Sequence, residues 1–277
     1  MTQLNRSDSV TGTLKYLEHT DGQRSYNVGV NEKRETEHLG DFINIDVPVV
    51  NARSIDETFT LDTQGFTLIK QTSTVSDFYN DADLQKVYND EVEETIIGLT
   101  GASHVEVFDH TQRSSSSAVR EQRAIREPAA VIHNDYSAQS ALTRLDGHFA
   151  DRADELESLK NRRFAIINVW RSINGPVMQS PLALCDARTS DYKDLVAVKR
   201  VAKDRVGELQ LALHSESHSW YYYPEMAIDE VLLIKTYDSL DDGRARFTLH
   251  TSFQPHDADG NLPERESLET RCFVFFK

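Results

Sequence analysis

Apolar positions along this chain gather mostly in short runs. The segments "FTLIKQ", "HVEVFD", "AAVIH", "RFAIINVW", "LALCDA", "LVAVKRV", "LQLALHS", "EVLLIKTYD", "RFTLHTSF" and "LETRCFVFF" are rich in Val, Ile, Phe and Thr and are separated by turn residues. Short runs of that composition between turns read as strands. A period near 3.6 occurs in two places. In "DADLQKVYNDEVEETIIGLTG", Leu84, Val87, Tyr88, Val92, Ile96 and Leu99 fall on one stripe, with Asp81 or Asp83 as cap and Gly98 or Gly101 closing the end. In "SAQSALTRLDGHFADRADELESLK", Ser137 can cap a helix whose stripe is Ala138, Ala141, Leu142, Leu145 and Phe149. Both stripes predict core-facing helices. Strands dominate the second half and helices gather earlier. The pattern predicts a mainly β protein with flanking helices, an antiparallel sandwich or jelly roll carrying its helices on one outer face.

Residues 1–55 are polar with scattered apolar positions and read as extended arms or edge strands packed on a core formed by 56–277, the whole chain being one domain. The serine-rich stretch "RSSSSAVREQRAIREP" (113–128) reads as a mobile surface loop, and the segment around 110–128 is expected to order over a site when substrate binds.

Composition narrows the class. The chain has 277 residues and a formal net charge of -15, so a nucleic-acid or anionic-membrane partner, which needs a basic footprint, is not expected. The two cysteines, Cys185 and Cys272, build no disulfide framework or Cys-rich zinc site. The first ten residues lack a secretory pattern, and no apolar run reaches transmembrane length, so a cytoplasmic protein is expected. Nothing in the sequence excludes a homodimer.

Candidate chemistry begins where the run "AAVIH" ends in His133-Asn134-Asp135. Side chains two apart on a strand share a face, so His133 and Asp135 can present an imidazole and a carboxylate to one ion. In "RFTLHTSF", His250 lies on the polar face with Arg246, Thr248 and Ser252, opposite Phe247, Leu249 and Phe253. After a polar loop the next strand carries Arg265, Ser267, Glu269 and Arg271 on one face. Two arginines aimed at one interior need anionic partners, and a dicarboxylate co-substrate is one; ion pairs with Glu264, Glu266 or Glu269 are the alternative. Two His, one carboxylate and a following Arg-x-Ser make the donor set of a non-haem Fe(II) oxygenase. A rival set, His214, Glu216 and His218, shares a strand face but is followed by no arginine. His104, His110, His148 and His256 have no comparable partners in the sequence.

Longer segments carry a resemblance. "FAIINVWRSINGPVMQSPLALCDART", "HSWYYYPEMAIDEVLLIKTYDS", "LHTSFQPHD" and "RESLETRCFVFF", with "LTGASHVEVFDHTQR" and "HNDYS", resemble the CmcJ/AsaB/NvfI hydroxylase–desaturase family of Fe(II)/2-oxoglutarate-dependent dioxygenases, from about residue 60 onward. The resemblance implies a double-stranded β-helix, iron held by His133, Asp135 and His250, and 2-oxoglutarate anchored by Arg265 with Ser267, Arg271 being the competitor for that role. It places Asn168, Trp170 and Arg171 at the substrate or co-substrate pocket, while Trp220, Tyr222 and Tyr223 read as core. The expected activity is oxidation of a C–H bond of a small natural-product or amino-acid-derived molecule, using Fe(II), 2-oxoglutarate and O2. The alternatives are a cupin-like small-acid binding protein without catalysis, or an Fe(II) oxidase that does not use 2-oxoglutarate.

Overall fold

Fifteen strands run through the described residues of this computed structural model, which are 8–18, 27–30, 36–38, 41–202, 205–256, 258 and 261–277. In chain order they are β1 (Ser9–Leu17), β2 (Asn27–Val30), β3 (Thr36–His38), β4 (Phe42–Asn51), β5 (Phe66–Lys70), β6 (His104–Ser114), β7 (His133–Asn134) and β8 (Phe164–Ser172). There follow β9 (Leu182–Cys185), β10 (Leu195–Ala202), β11 (Arg205–Ala212), β12 (Trp220–Tyr222), β13 (Glu230–Asp238), β14 (His250–Ser252) and β15 (Glu266–Phe275). One sheet has ten strands in the order β1-β4-β12-β9-β14-β7-β11-β10-β2-β3; the other has five, β5-β13-β8-β15-β6. Leu184 of the first packs with Trp170, Leu232 and Ile234 of the second, so the two sheets face each other as a double-stranded β-helix. The expected arm of residues 1–55 supplies β1 and β4 to the larger sheet, where Leu14, Tyr16 and Val49 are buried against Trp220 and Phe247; its residues 1–7, 19–26, 31–35 and 39–40 lie outside the described ones.

The five-stranded sheet separates its two faces by alternation. Leu268, Cys272 and Val274 of β15 point outward with Ala165, Ile167 and Val169 of β8 and receive a helical run. That run starts as α1 (Asp81–Asp83), passes through a π-type turn at Leu84–Tyr88 and continues as α2 (Asn89–Thr100). Leu84, Tyr88, Val92 and Ile96 are all buried there, the aliphatic three each contributing about 1.5–3 kcal/mol relative to exposure. Val87 and Leu99, expected on the same stripe, are 36% and 46% exposed, because the buried line follows a strict spacing of four set by the wider turn. The start is capped by Asn80, whose side chain accepts from the amides of Ala82 and Asp83, and not by Asp81 or Asp83. Gly101 ends the run in the left-handed region at φ +69°, while Gly98 lies inside the helix.

The second helical segment is two helices, α4 (Ala138–His148) and α5 (Ala153–Lys160), preceded by α3 (Ser117–Arg123). Ser137 caps α4 in a capping box with Ser140. Ala141, Leu145 and Phe149 are buried, whereas Ala138 and Leu142 are exposed. The helices do not share one outer face as expected. α4 and α5 pack on Phe164, Ile166, Phe273 and Phe275, which lie on the opposite face of β8 and β15 from α2. They close one end of the space between the sheets.

The stretch 113–128 is also more ordered than a surface loop. Its first residues finish β6, Ser114 and Ser116 are buried, and Ser117–Arg123 is α3. The runs "AAVIH" and "RFTLHTSF" keep only two and three residues in regular strand. Groups beside and at the end of these short ladders bond elsewhere, Ile132 N–H to Lys15 O at 3.1 Å and Ser252 N–H to Ala129 O at 2.6 Å.

Candidate active site

β7 and β14 are neighbours, and His133 and His250 stand directly opposite each other across them. Directly opposed residues of an antiparallel pair project to the same face, and the two rings meet at a centroid distance of 4.4 Å. Each Nδ1 lies against a main-chain carbonyl, His133 on Val131 O at 2.7 Å and His250 on Thr248 O at 3.0 Å. A carbonyl only accepts, so each Nδ1 carries the proton and each Nε2 presents a lone pair. The Nε2 of His250 is buried with no hydrogen-bond partner. Asp135, one residue beyond β7, brings Oδ1 within 3.7 Å of His133 Nε2. One donor atom from each of the three residues lies within 4.8 Å of the others. Two neutral imidazoles and a carboxylate, each oriented from behind, fit an Fe(II) ion with open positions left over.

The charge states suit that use. Burial, with His250 beside it, pushes His133 down to about 3. Burial would raise the Asp135 carboxyl, but Arg271, the two histidines and Asn168 hold it well below the usual carboxylate range. Both effects favour the forms that bind a cation.

The inner face of β8 and β15 is layered, because paired residues on the two strands face the same way. Phe275 and Phe273 stand opposite Phe164 and Ile166, then Arg271 opposite Asn168, Glu269 opposite Trp170 and Ser267 opposite Ser172. The apolar layers lie under α4 and α5, and the polar layers surround the histidines' end of the space. Asn168 Nδ2 donates to Asp135 Oδ2 at 2.6 Å. Arg271 donates to the same oxygen at 3.2 Å, to Asp109 at 2.6 Å, and to Glu269. Arg265 differs. It is 2% exposed, its Nη1 donates to Ser180 O, and its Nε has no partner. Among the described residues no carboxylate pairs with it. Burial, reinforced by Arg113, pushes the guanidinium down to about 9. Its flat face lies over Trp170 at 5.4 Å, and the hydroxyl of Ser267 is likewise buried without a partner.

Comparison with known proteins fits this geometry. The domain described as Oxidoreductase/YMDC permease-like matches residues 14–275. The chain is 33% identical over 252 residues to the hydroxylase/desaturase CTB9 of Cercospora beticola, covering 83% of this chain and 76% of that protein. It is 31% identical over 236 residues to the Fe(II)/2-oxoglutarate-dependent dioxygenase nvfI of Aspergillus novofumigatus, covering 81% of each. The solved iron and alpha-ketoglutarate-dependent endoperoxidase NvfI superposes with a TM-score of 0.84 at 25% identity, over 97% of this chain and 98% of that one. The chain belongs to the hydroxylase/desaturase family of Fe(II)/2-oxoglutarate-dependent dioxygenases. It is an enzyme whose cofactor is Fe(II) and whose co-substrates are 2-oxoglutarate and O2. Among the described residues no helix is long and apolar enough to cross a membrane.

One expected site residue of this dioxygenase falls elsewhere. Arg171, next to Trp170 on β8, necessarily points to the outer face. There it donates to Gln71 Oε1 at 2.9 Å and Ile228 O at 2.8 Å and lies over the ring of Phe78. It cannot line the inner pocket. Arg271 faces inward and is engaged by Asp135, Asp109 and Glu269, so of its two expected roles, co-substrate anchor or ion-pair partner of a nearby glutamate, it takes the ion pair with Glu269 and also orients Asp135. The rival set also dissolves. His218 stacks on Tyr16 and faces Asp194 at 3.4 Å, and His214, Glu216 and His218 form no metal-sized group among the described residues. His104 and His148 do have a partner in Glu106, at 3.6 and 2.5 Å; His104, Glu106 and Glu155 form a second cluster, but Arg152 also holds the Glu106 carboxylate.

Sequence reading missed Arg113 and Arg126, both inside the serine-rich stretch. Arg113 is the penultimate residue of β6, opposite Ser267, and a single parallel bridge joins it to Arg126. The signal was the alternation of "HVEVFDHTQRS", which continues two-residue periodicity up to Arg113 but with polar residues. A cavity of about 870 Å³ opens against Asp135, Arg271, Arg126 and Arg200 and runs between β10, β11 and α4.

Proposed function

We propose that His133, Asp135 and His250 hold the Fe(II) of this dioxygenase and that Arg265 with Ser267 anchors the far carboxylate of 2-oxoglutarate. The observation that carries the reading is a set of buried, unpartnered atoms, His250 Nε2 on β14 of one sheet and Arg265 Nε and Ser267 Oγ around the start of β15 of the other. Native interiors rarely leave such groups unpaired unless a ligand completes them. When bound, iron with 2-oxoglutarate and O2 supplies the oxidising power that breaks a substrate C–H bond.

The protein's part is positioning. Val131 O and Thr248 O fix the two imidazole tautomers, and Asn168 with Arg271 turns Asp135 so that Oδ1 faces the histidines. Trp170 supports the Arg265 guanidinium from below. The apolar residues Phe66, Leu184, Leu232 and Ile234 keep water from one flank. The substrate we assign is a small natural-product or amino-acid-derived molecule, handled in the cytoplasm by a single domain spanning 1–277. β1 and β4 support the single-domain reading, since they complete the same sheet that carries the histidines.

Incubation with Fe(II), O2 and 2-oxoglutarate tests the reading. Succinate and carbon dioxide should form in equal amounts, slowly without primary substrate, and their absence with correctly metallated protein would refute it.

A further inference from the structure

Arg126 and Arg200 enter the cavity beside Asp135 from two different places in the chain. Arg126 is held by the bridge to Arg113 and by Ser114 N–H on its own carbonyl at 3.0 Å, and Arg200 projects from β10. The cavity wall carries five cationic side chains, Arg126, Arg144, Lys199, Arg200 and Arg271, against three carboxylates. None of those carboxylates forms a hydrogen bond or ion pair with Arg126 or Arg200, although Asp135 and Asp109 attract Arg200 from a distance. Asp109 and Asp135 are engaged by Arg271, and Glu208 accepts from the Ser137 hydroxyl. Among the described residues neither arginine has a carboxylate at ion-pair distance.

Partly buried guanidinium groups set beside one another are costly without an anion between them. Burial, then Arg200, pushes Arg126 down to about 10, and burial, then Arg271, lowers Arg200. The positive wall is also at odds with a chain whose formal net charge is -15. Ile125, Tyr136 and Leu209 add apolar surface to the same cavity. Arg265 and Ser267 are not part of its wall, so this is a second place for an anion.

We infer that the primary substrate is a small organic acid whose carboxylate, or a comparable oxyanion, is held between Arg126 and Arg200 while its apolar body lies toward Asp135. The inference rests on the reading that this cavity admits the primary substrate of the proposed metal site. A guanidinium pair gives forked donors to a carboxylate and fixes the rest of the molecule at a set distance from the metal ligands. An uncharged isostere would leave both arginines unpaired and be rejected.

The test is a fluorine NMR titration of the full chain loaded with Zn(II) and saturating 2-oxoglutarate, with 4-fluorobenzoate as the anionic probe and 4-fluorobenzamide as its neutral counterpart. The benzoate should bind at least tenfold more tightly than the benzamide. Arg126→Gln and Arg200→Gln should each weaken it at least tenfold, while the exposed Lys193→Gln should not. The comparison of the two probes on the wild-type chain stands even if a variant fails to fold, and Arg126→Lys provides a charge-preserving substitute. Equal binding of the two probes, wild-type affinity in either glutamine variant, no saturation by the benzoate, or competition between the benzoate and 2-oxoglutarate would overturn the inference. Succinate formation by the wild-type enzyme is read separately, so a failure of the metal and co-substrate reading is distinguishable from a failure of this one.

Discussion

Asn168 and Arg271 stand directly opposite each other on β8 and β15 and donate to the same oxygen of Asp135. Cross-strand register therefore builds the clamp that leaves the other oxygen, Oδ1, facing His133. Hydrogen bonds to a ligating carboxylate commonly change metal affinity 10- to 100-fold. Asn168→Ala should weaken Mn(II) or Fe(II) binding by about that factor, with the secondary structure intact by circular dichroism. Unchanged metal affinity would remove Asn168 from the clamp.

Arg265 and Arg271 should separate in the protein without metal or co-substrate. Arg271 neutralises Asp135, Asp109 and Glu269, and its loss leaves the buried carboxylates of Asp135 and Glu269 uncompensated. Arg271→Ala should therefore lower unfolding stability by roughly 3–5 kcal/mol. Arg265 has no carboxylate among the described residues, so Arg265→Ala should cost much less. Urea denaturation of both variants is the measurement, and the reverse order of stabilities would contradict a structural Arg271 and a ligand-binding Arg265.

Co-substrate affinity should invert that order. Truncating one partner of a buried, charge-assisted contact costs about 2–5 kcal/mol. Arg265→Ala should raise the 2-oxoglutarate requirement on the order of a hundredfold, and Ser267→Ala should do less, since one hydroxyl contributes about 1–2 kcal/mol. A large co-substrate defect in Arg271→Ala, with little change in Arg265→Ala, would mean the two arginines have exchanged roles.

Gly65 supports the second histidine at one remove. It adopts φ +87°, and a Cβ there would lie 2.2 Å from Thr248 Oγ1. Thr248 donates to Gly65 O at 2.9 Å, and its own carbonyl orients His250. Gly65→Ala should destabilise the fold by more than about 1 kcal/mol and weaken metal binding. Gly98 lies inside α2 with open space around its Cβ position, so Gly98→Ala should stabilise by about 0.4–1 kcal/mol. A shift of equal sign in both urea midpoints would argue against these two backbone roles.

Most of this fold is legible in short apolar runs bounded by turn residues, because a strand buried on both faces keeps apolar side chains at consecutive positions. β8, β13 and β15 read clearly for that reason. β7 and β14, which carry His133 and His250, are harder to read: only two and three residues keep ladder geometry, and neighbouring groups bond outside the ladder, to Lys15 of β1 and to Ala129. Alternation correctly groups Arg265, Ser267, Glu269 and Arg271 on one face. The pair of Arg271 with Glu269 is within its reach, but the further contacts of Arg271 to Asp109 and Asp135, over 130 residues away in the chain, are not. Arg171 is misplaced when a motif is followed across adjacent positions, where strand geometry already turns neighbours to opposite faces. Arg113 and Arg126 are hidden because a serine-rich composition resembles a loop, although Ser114 and Ser116 are buried.

The most direct test of the metal and co-substrate assignment is a crystal of the Mn(II)-loaded protein with 2-oxoglutarate, measured at the manganese absorption edge. One anomalous peak is expected at ligand distance, about 2.0–2.3 Å, from the Nε2 atoms of His133 and His250 and from Asp135 Oδ1, with the far carboxylate of 2-oxoglutarate on Arg265 and Ser267. A peak at His214 and His218, or at His104 and Glu106, or a co-substrate carboxylate bound to Arg271 instead, would contradict the assignment.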